Sequence, residues 1–362
     1  MDVLIVSLGS TEGLRRADEE LRGSLERAGA RVRMVSALVP RRRRTLMLTD
    51  LGWALAARAA ASGALADTRA SPAPAIVYSS TTAALLWPRP GAIRFDAPSA
   101  GNRAGRHGLW QRPLERRRLE QAPLLLPWSE GALREAPLAA TRSARAIVLP
   151  VPVESSAPVA PVDASGAEQS ASFTPVRDIA AITYAANPAK KGLDHVLAAW
   201  RAVRTARAPE PAVDPADELV IAGATVQDLE RAGIDPSAEE GTRVVGALPA
   251  GEYRALLRRS RVFVCAPRRE DYGIAQLEAL ADGCLLVTTP APGPYTALPI
   301  ARALDQRLVS EDLSAALRTA LLDPPAGYAL RAREALAAFR FEVVDGLVAD
   351  AVLPSLDASR HS

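Results

Sequence analysis

Lysine is almost missing from this chain of 362 residues: of 44 basic residues only Lys190 and Lys191 are lysine, and they are adjacent. Cysteine is equally scarce. The chain has two, Cys265 and Cys284, both inside apolar runs that read as strands, so they are expected as buried thiols and no disulfide scaffold is implied. The three histidines, His107, His195 and His361, are scattered and form no cluster with cysteine, which argues against a zinc site. Aromatic residues make up 4%, too few to offer a stacking surface for single-stranded nucleic acid. No helix-turn-helix, zinc or basic-zipper pattern points to DNA. No uninterrupted apolar stretch reaches the length of a membrane span. The opening MDVLIVSLGS is too short and too acidic for a signal peptide and runs straight into a strand. A cytoplasmic location is expected, with the inner face of a membrane as one setting for it.

What the chain does have is ample apolar residue, 48%, and a length that favours two domains over one. Its charge is divided unevenly. Residues 1–150 hold 23 arginines against 13 acidic residues, a net +10, and the remainder is net −7. A basic first half suits an anionic acceptor or an anionic membrane surface. That half alternates strands and helices. DVLIVSL, RVRMVSAL, AIVYSS, AIRFDA, APLLLPWS and AIVLPVPV read as strands, and EELRGSLERAG as an amphipathic helix ended by Gly29. TDLGWALAARAAA reads as a helix with Thr49 or Asp50 at its N-cap. Residues 154–176 are rich in Ser, Ala and Pro and lack periodicity, as a linker or exposed insertion would be. A second alternating series follows, with strands IAAITYA, DELVIAGA, TRVVGAL, RVFVCA and CLLVTT, and helices near 193–207, 250–260 and 273–283. The tail, about 328–356, is helical with an apolar stripe that suits packing back on the first half. The expected organisation is therefore α/β, two doubly wound Rossmann-like domains at 1–153 and 177–330, joined by 154–176 and followed by a crossing helix and tail at 331–362.

The stretch VFVCAPRREDYGIAQLEALADGCLLVTTP, residues 262–290, is a strand, loop, helix and strand. In such a unit the loop after the first strand opens onto the crevice where ligands bind. Glu270 stands in that loop, and Glu278 lies about two helical turns further along. The paired lysines stand in another loop, NPAKKG, where an ammonium serves as a compact point charge for phosphate.

The order of these motifs resembles glycosyltransferase family 4, retaining nucleotide-sugar glycosyltransferases of the GT-B fold. The resemblance covers about residues 180–345 well and the first half more loosely. It rests on NPAKKGLDHVLAAW, VFVCAPRREDYGIAQLEALADG and the closing AALRTALLDP with FRFEVV. It implies that Lys191, immediately before its glycine, binds the donor diphosphate, with Lys190 beside it. Glu270 and Glu278 match the family's E-x7-E pair, the first near the reacting centre of the donor sugar and the second on the ribose hydroxyls. DYGI matches its aromatic-Gly-Ile step, so the amides of Gly273, Ile274 and Ala275 open a helix and can face phosphate. The family usually carries an arginine six residues before the lysine, where this chain has Ala185. Arg268, Arg269 or an arginine of the first half are the candidates to replace it.

In the first half, many relatives place a histidine at the end of the fourth strand, where Asp96 stands here. Asp96 could accept from a donor hydroxyl, position an acceptor, or cap the next turn. Asn102, Arg103 and His107 follow in a polar loop and are candidate acceptor contacts. SLGSTEGLRR matches the family's glycine-bearing loop near the diphosphate through Gly9 and Gly13, without its paired glycines, and Gly13 is a further candidate acceptor contact. Arginines 41–44 precede an apolar helix, a pattern shared by peripheral membrane proteins and by a solvated turn before a core helix. The resemblance implies a retaining, metal-independent transfer with no cofactor, from a UDP- or GDP-linked sugar to a glycan, lipid or small-molecule hydroxyl. A nucleotide-sugar epimerase of the same fold, or a partner protein that binds the donor without turnover, are the rival readings.

Overall fold

The computed structural model describes the chain except residues 39–43, 68–72, 104, 138–144, 158–175, 206–213, 215, 236–238 and 361–362. It divides into two units, Met1–Pro152 with Ala338–Ser362, and Val153–Ala337.

In the first unit, β1 (Asp2–Ser7) is followed by α1 (Glu12–Arg27), β2 (Arg31–Ser36), α2 (Leu46–Ala66), β3 (Ala75–Tyr78), β4 (Ala92–Phe95), α3 (Gln111–Gln121) and β5 (Leu125–Pro127). The strands pair in parallel in the order β2-β1-β3-β4-β5. β1 is apolar without alternation because both of its faces are covered. Val3 and Ile5 pack with Leu21 and Leu25 of α1 on one side. Leu4 and Val6 pack with Trp53, Ala57 and Ala61 of α2 on the other.

Two local expectations change. The N-cap of α2 is Thr45, whose hydroxyl accepts from the Leu48 amide, so Thr49 and Asp50 lie inside the helix and are buried. AIVLPVPV is not a full strand: Ala146 forms an isolated bridge to Leu125, and the Ile147 and Leu149 amides bond to the β5 carbonyls of Leu125 and Pro127. The next β5 donor to this segment would be the nitrogen of Pro127, which carries no N–H, so regular pairing stops there.

The second unit runs β6 (Ile179–Tyr184), α4 (Leu193–Thr205), β7 (Leu219–Ala222), β8 (Thr242–Gly246), α5 (Ala250–Arg259), β9 (Ser260–Cys265), α6 (Ile274–Ala281), β10 (Leu285–Thr288), α7 (Leu313–Leu322) and α8 (Tyr328–Ala335). Its parallel order is β10-β9-β6-β7-β8. Of the segment 154–176, Glu154 and Ser156 are bound into this unit. The Glu154 carbonyl accepts from Arg254 at 2.6 Å, and the Ser156 amide donates to Asp282 at 2.7 Å.

The tail returns to the first unit through α9 (Phe341–Leu347), a π-helical turn (Val348–Val352) and α10 (Leu353–Ala358). Val344, Val348, Val352 and Leu356 recur every four residues and join the cluster of Val3 and Ile5. Arg27 of α1 clasps Asp345 through two nitrogens, at 2.5 and 2.9 Å.

Candidate active site

In the second sheet the strand order reverses between β6 and β9, so the loops after these strands diverge to opposite faces and leave a crevice at their carboxyl ends. The first loop is built by local chemistry. The Asn187 side chain accepts from the Lys190 amide, Pro188 opens a single helical turn, and Gly192 closes it at φ +62°. Gly192 is required twice over: its φ is left-handed, and a Cβ there would lie 1.9 Å from the Ala266 carbonyl oxygen. That close approach presses the lysine turn against the exit of β9. The Lys191 ammonium reaches Glu270 Oε2 at 2.6 Å, and Lys190 reaches Asp271 Oδ2 at 2.9 Å.

Glu270 is 5% exposed. Its Oε2 also accepts from Gln276 Nε2 at 3.1 Å, and its amide donates to the Pro292 carbonyl. Asp271 is held by Arg269 at 2.8 Å as well as by Lys190. Burial alone would raise the Asp271 carboxyl, but Lys190 and Arg269 together outweigh burial and hold it below its ordinary value. Arg268 turns outward, where its guanidinium bonds Asp194 of α4 at 2.7 Å. With His195, Thr289 and Glu311 it lines a neighbouring cleft of about 270 Å³ that contains none of Lys191, Glu270 or Glu278. Ala185 is buried, and its amide donates to the Ala222 carbonyl. Of the candidates to replace that cation, Arg268 and Arg269 are paired with carboxylates, Asp194 and Asp271.

Gly273, at φ +94°, is the N-cap of α6, and the amides of Ile274, Ala275 and Gln276 form its first turn. A Cβ on Gly273 would lie 3.0 Å from the Tyr295 ring. Four residues into α6 comes Glu278, 4% exposed, with its Oε1 3.6 Å from the Arg254 guanidinium. Arg254 also bonds Asp282. The two glutamates are therefore served by different cations, Glu270 by Lys191 and Glu278 by Arg254. Burial and the Glu278 charge hold the Tyr253 hydroxyl proton well above the ordinary tyrosine range.

Arg254 and Gln276 are the partners of the two glutamates that sequence reading missed. Arg254 lies among four arginines in YRALLRRSR, and only its place on the buried stripe with Tyr253 and Leu257 separates it from the rest. Gln276 carried a plainer signal, a lone amide in an otherwise apolar helical stretch around Glu278.

In the first unit, Asp96 follows β4 directly, and its Oδ1 accepts from the next amide, Ala97, at 2.8 Å. Asn102 accepts from Arg103 at 3.2 Å. Arg103 places two nitrogens on buried Asp50 of α2, at 2.8 and 3.1 Å, and so fastens this loop to α2. His107 is exposed on a 3₁₀ turn (Gly105–Gly108). Gly13 lies in the first turn of α1, and Gly9 takes φ +52° after β1. Glu115 of α3, which the sequence reading passed over, is buried and binds the Ser99 amide and hydroxyl at 2.7 and 2.8 Å.

Residues 178–323, a segment of under half the chain and wholly within the second unit, match the family model described as "Glycosyl transferases group 1". No curated relative matches the chain at a significant level. Solved structures share the fold over both units. WaaG, a glycosyltransferase involved in lipopolysaccharide biosynthesis, is 16% identical over 97% of this chain and 100% of its own, with a TM-score of 0.63. Trehalose 6-phosphate synthase of Burkholderia multivorans is 15% identical over 99% and 98%, with a TM-score of 0.66. HepE of Anabaena, solved with UDP-glucose, is 13% identical over 98% and 100%, with a TM-score of 0.63. Residues 178–323 of the second unit are therefore similar to glycosyl transferases group 1, and the chain has the two-domain GT-B fold.

Proposed function

We propose that the protein is a retaining, metal-independent glycosyltransferase that takes a sugar from a nucleotide-diphosphate donor bound on the second unit and passes it to a hydroxyl of an acceptor bound on the first. The observation that carries this reading is the convergence of Lys191, Glu270 and the opening amides of α6 at the point where the strand order reverses. Breaking a glycosidic bond to a diphosphate needs positive charge on the departing phosphates and a polar group near the anomeric carbon. Lys191 and the amides of Gly273, Ile274 and Ala275 would supply the first, and Glu270 the second. Glu278 would accept from the ribose hydroxyls. The UDP-glucose complex of HepE, alike in fold, supports a UDP-linked donor. UDP or GDP, whichever matches the donor, should at about one hundred times Kd stabilise the protein by about 2.7 kcal/mol and raise its melting temperature by several degrees. No shift with either nucleotide, and no sugar transfer or donor hydrolysis, would remove the reading.

We propose further that the acceptor side meets an anionic membrane through α2. That helix buries Trp53, Ala54, Ala57 and Ala61, while Leu48, Leu51 and Leu55 on its opposite side are 43%, 37% and 51% exposed. Arginines 41–43 before it lie outside the described residues, and Arg44 is exposed. Apolar side chains beside a run of arginine fit the boundary of an anionic bilayer. Vesicles containing phosphatidylglycerol should sediment the protein at low salt and release it as salt rises. Leu51→Ser with Leu55→Ser should abolish the association while leaving the fold intact. Absence of binding at low salt would end the membrane proposal. Among the described residues no helix is long and apolar enough to cross a membrane.

A further inference from the structure

Gln276 is 2% exposed, on a helix whose neighbouring positions are Ile274, Ala275 and Leu277. Its Nε2 donates to Glu270 Oε2 at 3.1 Å and lies 3.7 Å from the Cys265 sulfur. Its Oε1 is buried without a hydrogen-bond partner. A buried amide with an unmatched acceptor costs stability that leucine at the same place would not. Packing therefore gives no reason for glutamine here, and the bond to Glu270 does.

Beyond Glu270, the cluster that Gln276 adjoins is polar but uncharged. Cys265 bonds Thr288 at 3.3 Å, and Thr288 bonds the Tyr295 hydroxyl at 3.0 Å. Burial pushes both the Cys265 thiol and the Tyr295 hydroxyl up, so they remain protonated. Of the groups described around Glu270 Oε2, Lys191 and Gln276 donate to it. Lys191 is the group that a diphosphate would draw away.

We infer that Gln276 is the positioning residue of Glu270. Its amide keeps the carboxylate in place at the reacting centre while the Lys191 ammonium is shared with the departing diphosphate. Gln276 is expected to touch neither the diphosphate nor the ribose, so its effect should fall on turnover and not on nucleotide affinity. The inference rests on the proposed donor site, and the test separates the two.

The experiment compares Gln276→Leu, Glu270→Ala and the double variant for transfer rate, and Gln276→Leu for UDP or GDP affinity. Gln276→Met, which keeps the length without the donor, serves if leucine prevents folding. The expected result is a loss in kcat of about tenfold or more for Gln276→Leu, with nucleotide Kd within about twofold of the parent. In the Glu270→Ala background the same substitution should cost nothing more, because the residue it positions is gone. A merely structural role would give additive losses. Additive losses, or an unchanged kcat in Gln276→Leu and Gln276→Met while Glu270→Ala is impaired, would overturn the positioning role and leave the donor site standing. Full activity in Glu270→Ala would remove the role assigned to Glu270, and this inference with it.

Discussion

Replacing Lys191 with alanine should lower the transfer rate by about a hundredfold or more, the scale set by removing one donor aimed at developing negative charge. The ammonium helps most when the bond to the diphosphate is breaking, so the loss should appear chiefly in kcat. The structure adds a second consequence. Lys191 stands 2.6 Å from a carboxylate that is 5% exposed. Without it Glu270 keeps the Gln276 amide but loses its cation, and breaking a buried pair from one side is destabilising. Kinetics of Lys191→Ala therefore belong at a temperature where melting curves show it folded. Lys191→Arg keeps the charge but replaces a compact ammonium with a planar fork in a turn pressed on Ala266, and should recover stability better than rate. Lys190→Ala should lose less than about tenfold, because its partner Asp271 retains Arg269 at 2.8 Å and no part of the diphosphate is assigned to it. Equal, small losses at both lysines would place the diphosphate elsewhere.

The second large effect is expected at Glu278. Glu278→Gln should weaken nucleoside diphosphate binding by about 1–3 kcal/mol through loss of a charge-assisted hydrogen bond, which is about 5- to 150-fold in Kd. It should do so without unfolding the protein, since Arg254 keeps its bonds to Asp282 and to the Glu154 carbonyl. Arg254→Met is the contrasting variant. It leaves the Asp282 and Glu278 carboxylates, 0% and 5% exposed in their side chains, without the guanidinium. The expected cost is about 3–5 kcal/mol of stability. Calorimetric titration and melting curves on the two variants separate recognition from architecture. Unchanged affinity in Glu278→Gln would remove its assignment to the ribose.

The chain shows its fold openly because its strands are short apolar runs bounded by turn residues, and its helices carry caps and periodic apolar faces. Where the reading slipped, a local cue lost to tertiary geometry. Thr49 and Asp50 look like cap residues, yet Thr45 caps the helix and Asp50 serves as the buried anchor of Arg103. AIVLPVPV looks like a strand, but the β5 residue that should donate to it next is Pro127, which has no N–H. At the site, Lys191, Glu270, Glu278 and Gly273 stood out through spacing and motif. Arg254 did not, because its contacts run to segments far apart in sequence, at Glu154 and Glu278. Gln276 did not, because its bond to Glu270, six residues away, depends on the turn at Gly273 between them. Arg103 was legible as a candidate acceptor contact in a polar loop, but its pairing with Asp50, which fastens that loop to α2, was not. The need for glycine at 192 could not be seen without the Ala266 carbonyl that approaches it.

The central claim is that the second unit holds a nucleoside diphosphate with Lys191 on the phosphates and Glu278 on the ribose. The most direct measurement is calorimetric titration of UDP, GDP and the corresponding nucleosides into the parent protein, Lys191→Ala and Glu278→Gln. The account predicts that one of the two diphosphates binds the parent more tightly than its nucleoside. It predicts that Lys191→Ala erases most of that difference, and that Glu278→Gln weakens nucleotide and nucleoside alike. Binding of neither diphosphate, or affinities in both variants equal to those of the parent, would contradict it.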